Sequence, residues 1–360
     1  MKRGRRGAAA ALRQRQQEPA RIGLVPQQPQ ITDDARRWIA ENLMLGHPAN
    51  VIAAQLQQSG CPLDLALAEI AAAQASPYFR GAHVLQQRLA KRDWLLASYG
   101  RLAALDGGLN AVPVVHRLPA EAFFRDFYAM HRPVLIKGLM DDWPATRLWS
   151  LDYFDERLGQ AEIEVQTHRE SNPAYEQQSP NHKQLARFAE VIERLRTCGR
   201  TNDFYVTANN TGINRRALAP LWEDVGPIPG YLDPSSDRDG YIWIGPAGTI
   251  TPFHHDLTNN LLVQISGTKR VTLLPSWETP RMRNAQHCFS QWRSPAEIAA
   301  LPAGERPAMM TCDIGPGDAL FIPVGWWHYV EGLDVTIGMS FTNFTRENDF
   351  FTSYTTYDQV

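Results

Sequence analysis

Two short segments about seventy residues apart constrain this chain more than anything else in it. The first is Thr251-Pro252-Phe253-His254-His255-Asp256; the second is Gly317-Asp318-Ala319-Leu320-Phe321-Ile322-Pro323, running into Trp326-Trp327-His328. On a β-strand, residues i and i+2 point to the same side, so His254 and Asp256 can converge on one point while His255 turns away. The second segment has the apolar run, proline punctuation and aromatic content of another strand, and carries one histidine at its end. If His328 joins the other two, strands distant in sequence must be neighbours in space. That long-range closure suits a barrel or jelly roll.

Two imidazoles and one carboxylate, converging with coordination positions left free, are the ligand set of a non-haem iron(II) oxygenase. Each histidine alone would carry little weight, because a histidine among aromatics is usually a packed, hydrogen-bonded residue. The ordered combination carries the argument. His47, His83, His116, His131, His168, His182 and His287 have no comparable context and read as structural or surface residues.

From about Pro133 to Phe344 the chain resembles the cupin-like JmjC family of iron(II)- and 2-oxoglutarate-dependent oxygenases, especially those that hydroxylate asparaginyl or arginyl side chains of proteins. The similarity opens on Pro133-Val134-Leu135-Ile136-Lys137-Gly138-Leu139 with Asp142-Trp143-Pro144-Ala145. It continues through Tyr241-Ile242-Trp243-Ile244-Gly245-Pro246 into the His-x-Asp segment, and ends at Leu333-Asp334-Val335-Thr336 through Ser340-Phe341. The resemblance implies a double-stranded β-helix, a jelly-roll core of mainly β structure with α elements. It also implies iron(II) held by His254, Asp256 and His328, with 2-oxoglutarate as co-substrate and dioxygen as oxidant.

Lys269, opening the strand after Ser266-Gly267-Thr268, matches the family's partner for the distal carboxylate of 2-oxoglutarate. A lysine is a compact point charge suited to that role. Tyr205 and Thr251 match hydroxyl donors to the same carboxylate, Asn260 an amide near the inner end of the co-substrate, and Ser340 a position held by Ser or Asn. Arg270, on the opposite face from Lys269, reads as a solvated charge. Asp256 speaks against halogenation, since related halogenases carry a small residue there. The expected reaction is hydroxylation of a peptide or protein side chain with release of succinate and CO2. Trp243, Phe253, Trp326 and Trp327 are candidates for the mouth of the barrel. Other members of this fold act on RNA bases or small molecules, and a non-catalytic cupin-like binding module is the alternative of a different class.

The remaining chain reads as a basic arm over 1–30, a helical bundle over 31–108, the oxygenase domain over 109–344 and a tail over 345–360. Lys2, Arg3, Arg5, Arg6, Arg13, Arg15 and Arg21 face a single acid, Glu18, in the arm. That composition is expected of a disordered, solubilising segment, with nucleic-acid binding the less favoured reading. Thr32 is a candidate N-cap, Pro48 and Pro62 begin helices, and a long helix over about 78–105 is expected to turn Leu85, Leu89, Trp94 and Leu95 inward. The bundle would support, dimerise or dock a substrate. A net charge of −2 argues against a broadly basic nucleic-acid surface. Cys61, Cys198, Cys288 and Cys312 show no paired spacing and no apolar run is long enough to span a bilayer, so the expectation is free thiols in a cytoplasmic protein. The aromatic tail is expected to pack on the barrel or across a homodimer.

Overall fold

A strand covered on both sides reads as a near-continuous apolar run, and the segment Asn260–Ser266, with Leu261-Leu262-Val263 and burial from Leu261 to Ile265, illustrates the rule. In the computed structural model, which describes residues 31–354 apart from 106, 108–109, 208–211 and 237–239, the strands in chain order are β1 (Val114–His116), β2 (Val134–Lys137), β3 (Glu162–Gln166), β4 (Lys183–Arg187), β5 (Gly240–Gly245), β6 (Ile250–His255), β7 (Asn260–Ser266), β8 (Lys269–Leu274), β9 (Asn284–Gln286), β10 (Phe289–Ser290), β11 (Met310–Ile314), β12 (Asp318–Ile322), β13 (Trp327–Gly332) and β14 (Thr336–Phe341). One sheet has the order β1-β2-β12-β7-β14-β5 and a second β11-β8-β13-β6-β10-β9, while β3 and β4 pair alone. From β5 to β8, and again from β11 to β14, the chain changes sheet at every turn. That alternation is the jelly-roll core expected from the sequence.

Leu261, Val263 and Ile265 of β7 join the large apolar cluster that the helices Leu151–Leu158 and Phe188–Thr197 cover with Phe154, Phe188 and Ile192. Asn260, Leu262 and Gln264, on the other side of the same strand, face the space between the sheets. At one end that space is plugged by Leu135, Leu262, Leu273, Leu320 and Trp326; the other end stays polar and holds the site. Within 177–201 only Phe188–Thr197 is an α-helix; a 3-10 turn at Ser179–His182 and β4 precede it.

The N-terminal helices are α1 (Asp33–Met44), α2 (Ala49–Gln58), α3 (Leu63–Ala75) and α4 (Pro77–Leu105). Thr32 caps α1 by accepting from Ala35 N at 3.2 Å. Ile39, Ile52, Ala53, Ala66 and Ile70 form a small core among α1, α2 and α3. The chain divides into compact units at Lys91/Arg92, inside α4. Leu85, Leu89, Trp94 and Leu95 do not turn inward: they are 58%, 47%, 66% and 43% exposed, and α4 contains no buried residue. Their spacing scatters them around the helix instead of aligning them on one stripe. The basic arm and part of the 106–109 link lie outside the described residues. No helix among the described residues is long and apolar enough to cross a membrane.

The tail packs on the barrel as far as it is described. Tyr128 donates its hydroxyl to Glu347 O at 2.7 Å, and Asn348 Nδ2 donates to Asn259 O at 2.9 Å.

The β7–β8 turn rests on Gly267, whose φ is +71° and whose missing Cβ would lie 2.1 Å from Val335 O. Across it Thr268 N donates to Asp334 Oδ1 at 2.6 Å. Replacing Gly267 by alanine adds a left-handed conformation to a backbone clash, and is expected to lower unfolding free energy by about 2–4 kcal/mol. Urea unfolding checks this, and a loss below about 0.5 kcal/mol, within the range of an ordinary surface substitution, would contradict it.

Candidate metal centre and its cavity

β6 and β13 pair antiparallel with His328 directly opposite His254 and Trp327 opposite His255. The ladder shifts register between His328 and Val330, a local irregularity at the site itself. Asp256 lies just past the end of β6, where its carbonyl accepts from Gly325 N at 3.0 Å. Donor atoms of His254, Asp256 and His328 all lie within 4.8 Å of one another. His254 Nε2 is 3.7 Å from Asp256 Oδ1, and His328 Nε2 is 3.9 Å from Asp256 Oδ2. His255 points elsewhere and meets the Trp327 ring edge-on at 4.8 Å.

Both imidazoles are fixed in one tautomer by the backbone two residues earlier. Nδ1 of His254 lies 2.9 Å from Pro252 O, and Nδ1 of His328 lies 2.9 Å from Trp326 O. A carbonyl can only accept, so each Nδ1 carries the proton and each Nε2 presents a lone pair to the centre. These two carbonyls are orienting groups that no side-chain pattern in the sequence identifies. Burial, reinforced by the neighbouring His328, pulls the pKa of His254 down to about 4. Burial alone would raise Asp256, but the His328 and His254 imidazoles and the Asn260 amide outweigh it and hold the carboxyl below its ordinary value. A neutral imidazole at His254 and an ionised carboxylate at Asp256 are protonation states a divalent metal needs.

Asn260 donates from Nδ2 to Asp256 Oδ2 at 2.9 Å, so its first contact is with the carboxylate ligand. Its Oδ1 is buried without a partner.

Every site residue read from the sequence lines one cavity of about 90 Å³: His254, Asp256, His328, Lys269, Tyr205, Thr251, Asn260 and Ser340, together with Trp243. Ser340 Oγ accepts from Trp243 Nε1 at 3.0 Å. Lys269 is 3% exposed, and burial alone lowers its pKa to about 8, no acidic group among the described residues offsetting it. Gly338 leaves the room beside it: a Cβ there would lie 2.9 Å from Gln264 Oε1 and 3.4 Å from Lys269 Nζ. Gln264 Oε1 and Thr336 Oγ1 on the facing strands are buried without partners. A cationic inner end lacking a counter-charge, 2-His-1-carboxylate donors at the outer end, and a narrow cavity between them fit a metal-chelating dicarboxylate. Arg270, by contrast, is exposed and paired with Asp313.

Outside this cavity a wider mouth of about 480 Å³ shares Trp243 and the ligands His254 and Asp256, and adds Glu176, Tyr241, Phe289 and Phe351. Of the four aromatics proposed for the mouth, only Trp243 reaches it. Phe253 and Trp327 pack in one apolar cluster and Trp326 in another, each fully buried. Glu176 was not foreseen: it sits in an irregular stretch with neither periodicity nor motif. Phe351 likewise comes from the tail, where only its aromatic character was visible.

A cupin-like domain profile matches residues 119–350. Lysine-specific demethylase 8 of Xenopus tropicalis is 30% identical over 248 residues, covering 64% of this chain and 52% of that protein. Lysine-specific demethylase JMJ30 of Arabidopsis thaliana is 29% identical over 240 residues, 62% of this chain and 52% of the relative. tRNA wybutosine-synthesizing protein 5 of Gallus gallus is 26% identical over 235 residues, 61% of this chain and 72% of its own. The chain spans about half the length of the two demethylases. With the profile covering most of the sequence, and the two-sheet core it describes present in the fold, the chain belongs to the cupin-like JmjC family.

Proposed function

We propose that this protein is an iron(II)- and 2-oxoglutarate-dependent dioxygenase that hydroxylates a cationic side chain of a peptide or protein. The observation that carries the reading is the joint lining of one cavity by the three donors His254, Asp256 and His328 and by the uncompensated Lys269. His254, Asp256 and His328 would hold the metal on one face. Lys269, Tyr205 and Thr251 would take the distal carboxylate of 2-oxoglutarate, with Asn260 and Ser340 beside its chelating end. Bound there, the metal would activate dioxygen, the oxidant: one of its oxygen atoms would enter the succinate formed as 2-oxoglutarate loses CO2, and the other a C–H bond of the substrate. The chain's own part is to exclude water, keep both Nε2 atoms unprotonated and hold the substrate over the ligands.

Glu176 supports a cationic substrate. Besides Asp256 it is the charged residue lining the mouth among the described residues, and Tyr241, Trp243, Phe289 and Phe351 supply ring faces around it. An acid among aromatics suits a lysyl or arginyl group and repels a phosphate. The same oxidation directed at an N-methyl carbon would be a demethylation, and analysis for formaldehyde separates the two outcomes. A non-catalytic binding module would have no use for a lysine buried without a counter-charge, which costs several kcal/mol if nothing anionic joins it.

Anaerobic titration of metal-stripped protein with iron(II), then 2-oxoglutarate, is expected to give the weak visible charge-transfer band of a chelated 2-oxo acid. Asp256→Ala is expected to abolish the band. Lys269→Ala should need roughly 30-fold or more 2-oxoglutarate, the loss of one partner from a buried charge pair. Asn260→Ala should weaken iron binding about 10–100-fold by freeing the Asp256 carboxylate. Iron binding without a 2-oxoglutarate-dependent band would point to another cupin chemistry, and no iron binding to the binding-module reading.

The pH dependence follows from Lys269. Its pKa in the ligand-free protein is depressed to about 8, so the ammonium is present at pH 7 and lost as pH rises. Affinity for 2-oxoglutarate is therefore expected to be level near neutrality and to fall by about tenfold per unit above pH 8, until the raised pKa of the bound state is reached. In Lys269→Met that alkaline limb should disappear; calorimetric titration across pH 6.5–9.5 would refute the assignment if both proteins gave the same profile.

A further inference from the structure

A fully buried guanidinium sits between the cavity and the mouth, and no motif in the sequence accounts for it. Arg169 follows His168, whose φ of +56° is a left-handed conformation that turns the chain inward. Its Nη2 donates to Glu176 Oε1 at 2.8 Å and to Ile250 O at 2.7 Å. Its Nε and Nη1 are buried without partners. The guanidinium lies 4.3 Å from the ring centroid of Tyr175 and 5.1 Å from that of Tyr205. Tyr175 donates its hydroxyl to the same Ile250 carbonyl at 3.0 Å. Keeping a charge out of water with only one counter-ion and two of its three nitrogens unused is expensive.

Each contact of Arg169 leads to a different part of the site. Glu176 lines the mouth, Tyr205 lines the inner cavity, and Ile250 immediately precedes Thr251 on the strand that ends in His254. We propose that Arg169 is a positioning residue that holds Glu176 across the mouth and Tyr205 along the inner cavity, and that its charge favours an anion in that cavity. The inference rests on the assignment of the inner cavity to 2-oxoglutarate. Its physical content is a sign rule. Arg169 draws an anion inward, Glu176 offsets that pull, and so removal of either one alone should move affinity for the anion in opposite directions. A cation arriving at Glu176 from the mouth would reduce the offset, so substrate and co-substrate would bind with positive coupling.

The test is calorimetric titration of the full chain, loaded with manganese(II), with 2-oxoglutarate alone as ligand. Arg169→Met is expected to weaken binding on the order of tenfold. Glu176→Gln is expected to tighten it by about threefold, and Arg169→Lys, which keeps the charge and loses the planar fork, to fall between wild type and Arg169→Met. A purely structural Arg169 would lower the thermal midpoint and leave 2-oxoglutarate binding per folded molecule unchanged, which overturns the proposal. Equal weakening by Arg169→Met and Glu176→Gln overturns it too, because the opposite signs are its content. If Arg169→Met does not fold, Arg169→Gln, which removes the charge but keeps a hydrogen-bond donor, carries the sign test with Glu176→Gln. Failure of the wild-type protein to bind 2-oxoglutarate would instead refute the co-substrate assignment itself.

Discussion

The antiparallel pairing of β6 with β13 is the constraint on which the rest of the site depends. It sets His328 opposite His254, and because side chains alternate along a strand, a slip of one residue would turn one of the two imidazoles out of the centre. β13 also pairs with β8, where His328 faces Leu273 and Gly332 faces Lys269. The same ladder therefore fixes how far Lys269 stands from the donors: four residues along β8, roughly 13 Å between backbones. A lysine side chain and a small dicarboxylate reaching towards each other fill such a span. The Gly267 turn matters for the same reason, since it starts β8 in the register that points Lys269 inward and Arg270 outward.

Charge balance unites the two ends of the cavity. Alone, the chain keeps Asp256 ionised at one end, partly buried, and a reluctant, fully buried ammonium at the other. Neither state is comfortable in a low-dielectric interior. A divalent metal at Asp256 and a doubly charged dicarboxylate reaching to Lys269 sum, with these two residues, to zero. On the proposed assignment, the metal and the co-substrate would be held together more firmly than either alone, since each offsets the charge the other brings. On the cavity wall Asn260 Oδ1 is buried without a partner, an acceptor that favours a water able to donate to it.

What could be read from the sequence was whatever depends on local pattern. The apolar run of β12, the cap at Thr32 and the His-x-Asp spacing are all statements about neighbours in the chain, and their geometry follows directly from local backbone structure. Facing partners were harder. Phe253, Trp326 and Trp327 have the composition of a mouth, but Phe253 and Trp327 each precede a centre-facing histidine, so strand alternation turns them into one apolar cluster, Trp326 packs in another, and Trp243 alone of the four is at the opening. On α4, the count of apolar residues suggested a buried face, whereas burial requires them to share one stripe. Arg169 and Glu176 were illegible for a related reason. They are joined across an irregular segment, and the tyrosine on the far side of the guanidinium comes from an isolated bridge at residue 205. No periodicity links such residues.

Inner cavity and mouth are also built from different material. The cavity takes its walls from strands in the two central sheets, where register leaves each side chain little choice. The mouth takes Glu176 from an irregular segment, Phe289 from the short β10 and Phe351 from the tail, elements whose backbones are less constrained. The tail is nevertheless not independent of the centre. Asn348 accepts from Asn259 N at 2.8 Å and donates to Asn259 O, and the next residue, Asn260, holds the Asp256 carboxylate. Phe351 therefore reaches the mouth from an anchor one peptide away from the group that orients a metal ligand. A fold of this kind keeps its chemistry in the ladder and its selectivity in attached segments, and here the Asn259–Asn260 pair is where the two meet.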